Sequence, residues 1–171
     1  MRKLKWCFLF ITVWTNTVLW AQNEPIIKHK EAFTIGETLE IESPILGENR
    51  TLNIYLPNGY SKATSKTYPV VYLLDGSVDE DFIHIAGLVQ FGSFSWIELI
   101  PESIVVGISN VDRKRDFTFP SKNIRDIKDF PTTGKSEGFI NFIENELQPM
   151  IESRYKTDSK KTIAIADYME K

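Results

Sequence analysis

Few residues in this chain of 171 are typed and spaced for chemistry. Gly134-Lys135-Ser136-Glu137-Gly138 spells G-x-S-x-G, the pattern of a serine nucleophile on a strand-to-helix turn. Such a turn needs a buried strand before the serine. Asp129-Phe130-Pro131-Thr132-Thr133 is polar and contains a proline, so that strand is lacking and Ser136 is expected to cap the helix that follows it. His29 and His84 lie far apart, with no cysteine or H-x-x-x-H partner beside either, so no metal is expected. Gly36, Gly47 and Gly59 are isolated turn glycines rather than a phosphate cradle, and no cofactor is expected. Two loops remain. One opens at Asp75-Gly76, where an apolar run stops, and the other carries the densest charge, Asp112-Arg113-Lys114-Arg115-Asp116.

The elements that must position these loops follow from periodicity. Tyr68-Pro69-Val70-Val71-Tyr72-Leu73-Leu74 runs without polar alternation, as a strand covered on both faces does. Residues 79–91 bring Phe82, Ile85, Ala86 and Val89 to one helical face. A second apolar strand follows over residues 103–109. Strand, helix and strand form a βαβ unit, so the two strands are predicted parallel. Ligands bind outside the carboxyl ends of such strands, so the loop from Asp75 onward is a natural place for chemistry. Upstream, residues 37–43 and 50–56 alternate polar and apolar around a Gly-Glu-Asn turn and predict an antiparallel hairpin. Downstream, residues 110–135 read as one long polar loop, of a length that is functional or disordered in a compact domain. Residues 137–154 predict a helix with Phe139, Ile140, Ile143, Leu147, Met150 and Ile151 inward, kinked at Pro149. Residues 161–166 open a third apolar strand. Gly92 to Trp96 is expected to form a loop in which Trp96 packs into the structure, the alternative being an aromatic wall for a ligand.

Composition sets the broad class. A hydrophobic content of 42% suits one globular domain, and a net charge of −3 speaks against nucleic acid as a partner. Residues 1–21 have the layout of a secretory signal peptide, with Arg2, Lys3 and Lys5 ahead of a mostly apolar run and a cleavage site at Leu19-Trp20-Ala21. The run is short of the roughly 20 apolar residues of a spanning helix, so cleavage is expected, with no stable membrane anchor afterwards. Export to the periplasm or the medium is the expectation. The single cysteine, Cys7, lies in this segment, so the mature chain would hold no disulfide. Residues 22–33 read as a linker and 34–171 as the domain.

Several phrases, in order, resemble a known family. They are Pro69 to Gly76, Val106-Gly107-Ile108-Ser109-Asn110-Val111-Asp112-Arg113-Lys114-Arg115-Asp116-Phe117-Thr118, and Phe139 to Pro149 with Ile151, Glu152 and Tyr155. Together they are similar to the "putative esterase" family of α/β-hydrolases, which includes enterobactin-type siderophore esterases and esterase D-like enzymes. The resemblance spans about residues 34–164. It implies a partial α/β-hydrolase fold: an antiparallel hairpin leading into a parallel sheet with flanking helices. It also implies serine ester hydrolysis, with a small-molecule ester as substrate and a triad in the chain order Ser, acid, His. One oxyanion donor would be the backbone N–H of Gly76 or Ser77. Asp112, Arg113, Arg115 and Asp116 would shape the mouth of the site, the alternative being a solvated charge cluster.

The chain departs from the family after Ala164. Members continue their third parallel strand into a G-H-S-x-G-G-like elbow, whereas here Ile165-Ala166-Asp167-Tyr168-Met169-Glu170-Lys171 follows. No catalytic serine, acid or histidine is therefore assigned. The expectation is the N-terminal portion of an exported serine esterase, inactive as written, through a frameshift or premature stop. The alternative is an exported, non-catalytic binding module that uses the loop from Asp112 to Phe119 as its contact surface.

Overall fold

The computed structural model describes residues 25–165. The predicted signal peptide with Cys7, and the residues after Ile165, lie outside the described residues. The chain divides into two units at Phe33/Thr34. Residues 25–33 of the first unit carry no helix or strand. Among the described residues no helix is long and apolar enough to cross a membrane.

The second unit holds one five-stranded mixed sheet. Strands β1 (Gly36–Ser43) and β2 (Glu48–Tyr55) form the predicted hairpin. Gly47, in the left-handed region at φ 67°, closes its turn. Strand β3 (Tyr68–Leu74) is followed by helix α1 (Phe82–Gly92) and strand β4 (Ile104–Ile108). β3 and β4 pair in parallel, as the βαβ reading requires. Strand β5 (Thr157–Ile165) pairs in parallel with the other edge of β3. It begins four residues before the predicted start. The spatial order is β1-β2-β4-β3-β5, so β4 lies between the hairpin and β3.

β3 is buried on both faces because its alternate side chains enter different cores. Val70, Tyr72 and Leu74 join Leu52, Ile54, Val106 and the long helical segment. Leu73 faces the opposite way, with Phe82, Ala86 and Val89 of α1. This unbroken apolar run is the reason no polar alternation could be seen in the sequence.

The region 110–135 corrects the expectation of a single loop. It contains helix α2 (Arg113–Phe117) and helix α3 (Ile124–Asp129). Both are one or two turns started by a side-chain cap, from Asp112 to the Arg115 N–H and from Asn123 to the Arg125 N–H. Such short helices have too little periodicity to register in a sequence.

The predicted helix over 137–154 is three segments in line: helix α4 (Ser136–Phe142), a π-helical turn (Ile143–Leu147) and helix α5 (Gln148–Arg154). Pro149 has no N–H to return to the residue four before it. The strain is taken up just upstream, where the Gln148 N–H bonds the Ile143 carbonyl five residues back. The wider turn changes the buried stripe to Phe139, Phe142, Ile143, Leu147 and Ile151, and leaves Ile140 out on the exposed side. It also aims Glu146 at the hairpin turn, where its carboxylate accepts from Ser43 Oγ at 2.5 Å and from the Ile45 N–H at 2.9 Å.

Candidate functional site

The carboxyl ends of β3 and β4 meet at Asp75, Gly76, Ser109 and Asn110. Asp75 leaves β3 with φ at 57°, a left-handed conformation that aspartate tolerates better than most residues. Its buried carboxylate accepts from Asn110 Nδ2 at 2.6 Å and from Arg113 Nε and Nη2 at 3.0 and 3.2 Å. The guanidinium of Arg113 also lies over the Phe117 ring, 5.2 Å from its centroid.

The chain then crosses directly over β4. A Cβ placed on Gly76 would lie 2.4 Å from Gly107 Cα and 2.6 Å from Ile108 N. Both positions are bare so that two backbones can touch. The Gly76 N–H donates to the Ile108 carbonyl at 3.0 Å, and the Gly76 carbonyl accepts from Asn53 Nδ2 at 2.8 Å. Both polar groups of Gly76 are thus in use. The Ser77 N–H has no acceptor among the described residues, while the Ser77 carbonyl starts α1 by accepting from the Glu80 and Phe82 N–H groups. Of the two N–H groups offered by the sequence, only the one on Ser77 is left to meet a ligand.

The charged cluster divides. Arg113 touches Asp75 at the turn. Asp112 caps α2, and the Thr132 hydroxyl, then the Arg115 N–H, hold its carboxyl below the usual carboxylate range. Arg115 and Asp116 turn toward β2 instead. Arg115 grips Glu48 through Nη1 and Nη2 at 2.8 and 2.6 Å, and its Nε reaches Asp116 at 2.7 Å. Arg50, 1% exposed, meets Asp116 at 2.5 Å and Glu48 at 2.6 Å and lies over Phe139. The hydrogen bonds to Glu48 and then Asp116 raise the Arg115 pKa further above its ordinary value. This network clamps α2 to β2 and so fixes the height of Arg113 and Asn110 above the sheet.

Ser136 does not cap its helix. It is the first helical residue, Lys135 is the cap, and Ser136 Oγ is buried with no partner among the described residues. Gly134, at φ 91°, packs on Pro120 and donates to Thr118 Oγ1, which sets the entry one residue earlier than predicted. No strand precedes it, so the elbow geometry is absent there. His84 is exposed on α1, and among the described residues no three His, Cys, Asp or Glu side chains group for a metal.

Trp96 corrects another expectation: it is 73% exposed and stacked on Phe94 at 4.5 Å. The two rings border an open cavity of about 690 Å³ with Tyr55, Gln90, Leu99 and Glu102. It lies near the amino end of β4, at the opposite end of the strands from Gly76.

Sequence reasoning missed Asn53, Asn110 and Arg50. The one signal for Asn53 was a short amide between Leu52 and Ile54 in a strand read only for its alternation.

A family model described as "Putative esterase" matches residues 43–166. The chain is 32% identical to the ferri-bacillibactin esterase BesA of Bacillus subtilis (strain 168), over 76% of this chain and 49% of that protein. An IroE-like serine hydrolase from Shewanella oneidensis superposes with a TM-score of 0.65 at 38% identity, over 75% of this chain and 41% of the other. The BES protein from Bacillus cereus superposes with a TM-score of 0.63 at 27% identity, over 82% and 55%. The chain spans about half the length of the relatives it matches.

Proposed function

The chain belongs to the esterase family, and from that premise we propose that it supplies the oxyanion side of an exported serine carboxylic-ester hydrolase. The carrying observation is the Ser77 N–H. It sits at the carboxyl end of β3, without an acceptor, on a turn held from both sides. In acyl transfer the carbonyl oxygen gains charge in the transition state. Donors fixed beforehand at about 2.7–3.1 Å from it lower the barrier without reorganising. The second donor of such a hole follows the nucleophilic serine, which attacks while a histidine takes its proton and an acid orients the histidine. In this reading the residues from β3 to α2 bind and polarise the ester carbonyl.

The relative BesA is named for a ferri-siderophore ester, and a siderophore or other acyl ester is the proposed substrate class here. Arg113, half exposed beside Asp75, and Asp112 at the start of α2 stand at the rim as substrate contacts. Arg115 and Asp116 support the rim from below. Export rests on residues 1–21 and predicts a mature protein that begins near Gln22, which mass spectrometry of the secreted material checks.

The function is tested with p-nitrophenyl acetate on two proteins: this chain, and this chain continued from Ala164 by the carboxyl half of a relative with its elbow. Turnover by the extended protein alone is expected. Turnover by the purified chain itself at an enzymatic rate, or none by a folded extended protein, overturns the reading.

A further inference from the structure

Asn53 is 1% exposed and lies on β2, directly opposite Gly107 of β4. Its side chain bonds neither of these strands' backbones. It reaches past Gly107 to the turn beyond β3 and donates from Nδ2 to the Gly76 carbonyl at 2.8 Å, with a longer contact to Ser109 Oγ at 3.4 Å. Gly107 makes this reach possible. A Cβ there would lie 2.5 Å from the same Gly76 oxygen. The orientation of the amide is also set. A carbonyl only accepts, so Nδ2 must face Gly76, and Oδ1 then accepts from Thr38 Oγ1 at 2.8 Å.

A peptide is planar and trans, so the carbonyl of one residue and the N–H of the next point in opposite directions. Holding the Gly76 oxygen toward Asn53 turns the Ser77 N–H away from Asn53. The remaining restraints flank this peptide without touching its own polar atoms: upstream the Gly76 N–H on Ile108 and the Asp75 carboxylate on Asn110 and Arg113, downstream the Ser77 carbonyl on the Glu80 and Phe82 N–H groups. Gly76 itself permits a flip, having no side chain to resist one.

We propose that Asn53 is the positioning residue for the Ser77 N–H: its amide, passing over Gly107, locks the Gly76–Ser77 peptide in the orientation an oxyanion donor requires. The inference rests on the proposed role of Ser77 for its meaning, but peptide orientation is measured without turnover, so the two fail separately. Asn53 touches no substrate and acts through the backbone. An acceptor in its place favours the flipped peptide, in which the Ser77 N–H turns inward to bond it. Asn53→Asp supplies such an acceptor when ionised, and a donor again when protonated.

The test uses this chain labelled with ¹⁵N and ¹³C and weakly aligned for residual dipolar couplings. In the wild type, a scalar coupling from Asn53 Nδ2 to the Gly76 carbonyl carbon is expected, with a Ser77 N–H dipolar coupling that fits the direction described above. In Asn53→Asp at neutral pH, the Ser77 coupling changes while those of Tyr72 and Val106 in the sheet do not. Lowering the pH through the carboxyl pKa restores it. General loosening of the fold would move all three couplings together and would not be rescued by acid. Thr38→Val, an exposed change, removes only the outer partner of the amide and is expected to shrink the Ser77 coupling partially. Absence of the Asn53–Gly76 scalar coupling in the wild type overturns the proposal, as does a wild-type Ser77 coupling in Asn53→Asp at neutral pH.

Discussion

Replacing Gly107 by alanine puts the crossing of β4 by the Gly76 turn to a quantitative test. The new Cβ would stand 2.5 Å from the Gly76 oxygen, 2.6 Å from Phe82 Cδ2 and 3.2 Å from Gly76 Cα. Carbon contacts are comfortable at about 3.5–4.0 Å, so roughly 1 Å of movement is demanded. Phe82 is 2% exposed and cannot swing aside, and the other two atoms are backbone. The turn must therefore lift, which stretches the Asn53–Gly76 bond from 2.8 Å and the Gly76–Ile108 bond from 3.0 Å beyond useful length. Overpacking costs about 1–3 kcal/mol. Each lost bond adds about 1 kcal/mol. The expected destabilisation is about 3–5 kcal/mol, read as the shift of the urea unfolding curve by circular dichroism. Gly87→Ala is the control. Nothing lies within 4 Å of its Cβ position on the exposed face of α1, so it should gain roughly 0.5–1 kcal/mol from helix propensity. Gly76→Ala meets the same contact from the other side, and once the turn has lifted a second methyl has less to disturb. The double variant should fall well short of the sum. A Gly107→Ala protein within 1 kcal/mol of wild type would refute the reasoning, because the backbone contact would then not be restrictive.

The buried interior supplies further predictions. Tyr72 is fully buried, and its hydroxyl has no partner among the described residues. Tyr72→Phe is expected to stabilise by about 1 kcal/mol, since an unsatisfied buried hydroxyl costs that much or more. A loss of stability in the same urea assay would reveal a missed partner. Burial first, and then Glu152, raise the Tyr72 pKa above its ordinary value of 10, and burial followed by Glu37 does the same for Tyr155. For a raised phenol the stabilisation is complete below the unfolded pKa near 10 and disappears as pH climbs from there toward the folded value. Urea midpoints should therefore drop steeply above pH 10, and less so in Tyr72→Phe. Asp116→Ala leaves the Arg50 guanidinium buried with Glu48 as its remaining partner. Breaking a buried pair costs about 3–5 kcal/mol, and the retained Glu48 contact places this variant at the lower end. A cost under about 1 kcal/mol would mean that the network is solvated.

How much of this was legible in the sequence depends on the range of the interaction involved. The sequence alone determined the hairpin, the βαβ unit, the parallel relation of β3 and β4 and the family, because each is written in neighbouring residues: alternation, an unbroken apolar run, a turn glycine. The stop of the apolar run at Asp75-Gly76 could be read for the same reason. Tertiary structure alone decided which N–H on that turn is left for a ligand. That choice depends on Asn53 and Ile108, 23 residues before Gly76 and 32 after it. It likewise decided that Asp112, Arg113, Arg115 and Asp116, close together in sequence, serve separate neighbours. A helical turn points successive side chains in different directions, so Arg113 meets Asp75 while Asp116 meets Arg50. Pro149 announced a distortion but not that the turn before it would widen and carry Glu146 to the hairpin. Local pattern encodes which elements form, whereas which groups remain unbonded at their ends is settled by what the fold packs against them.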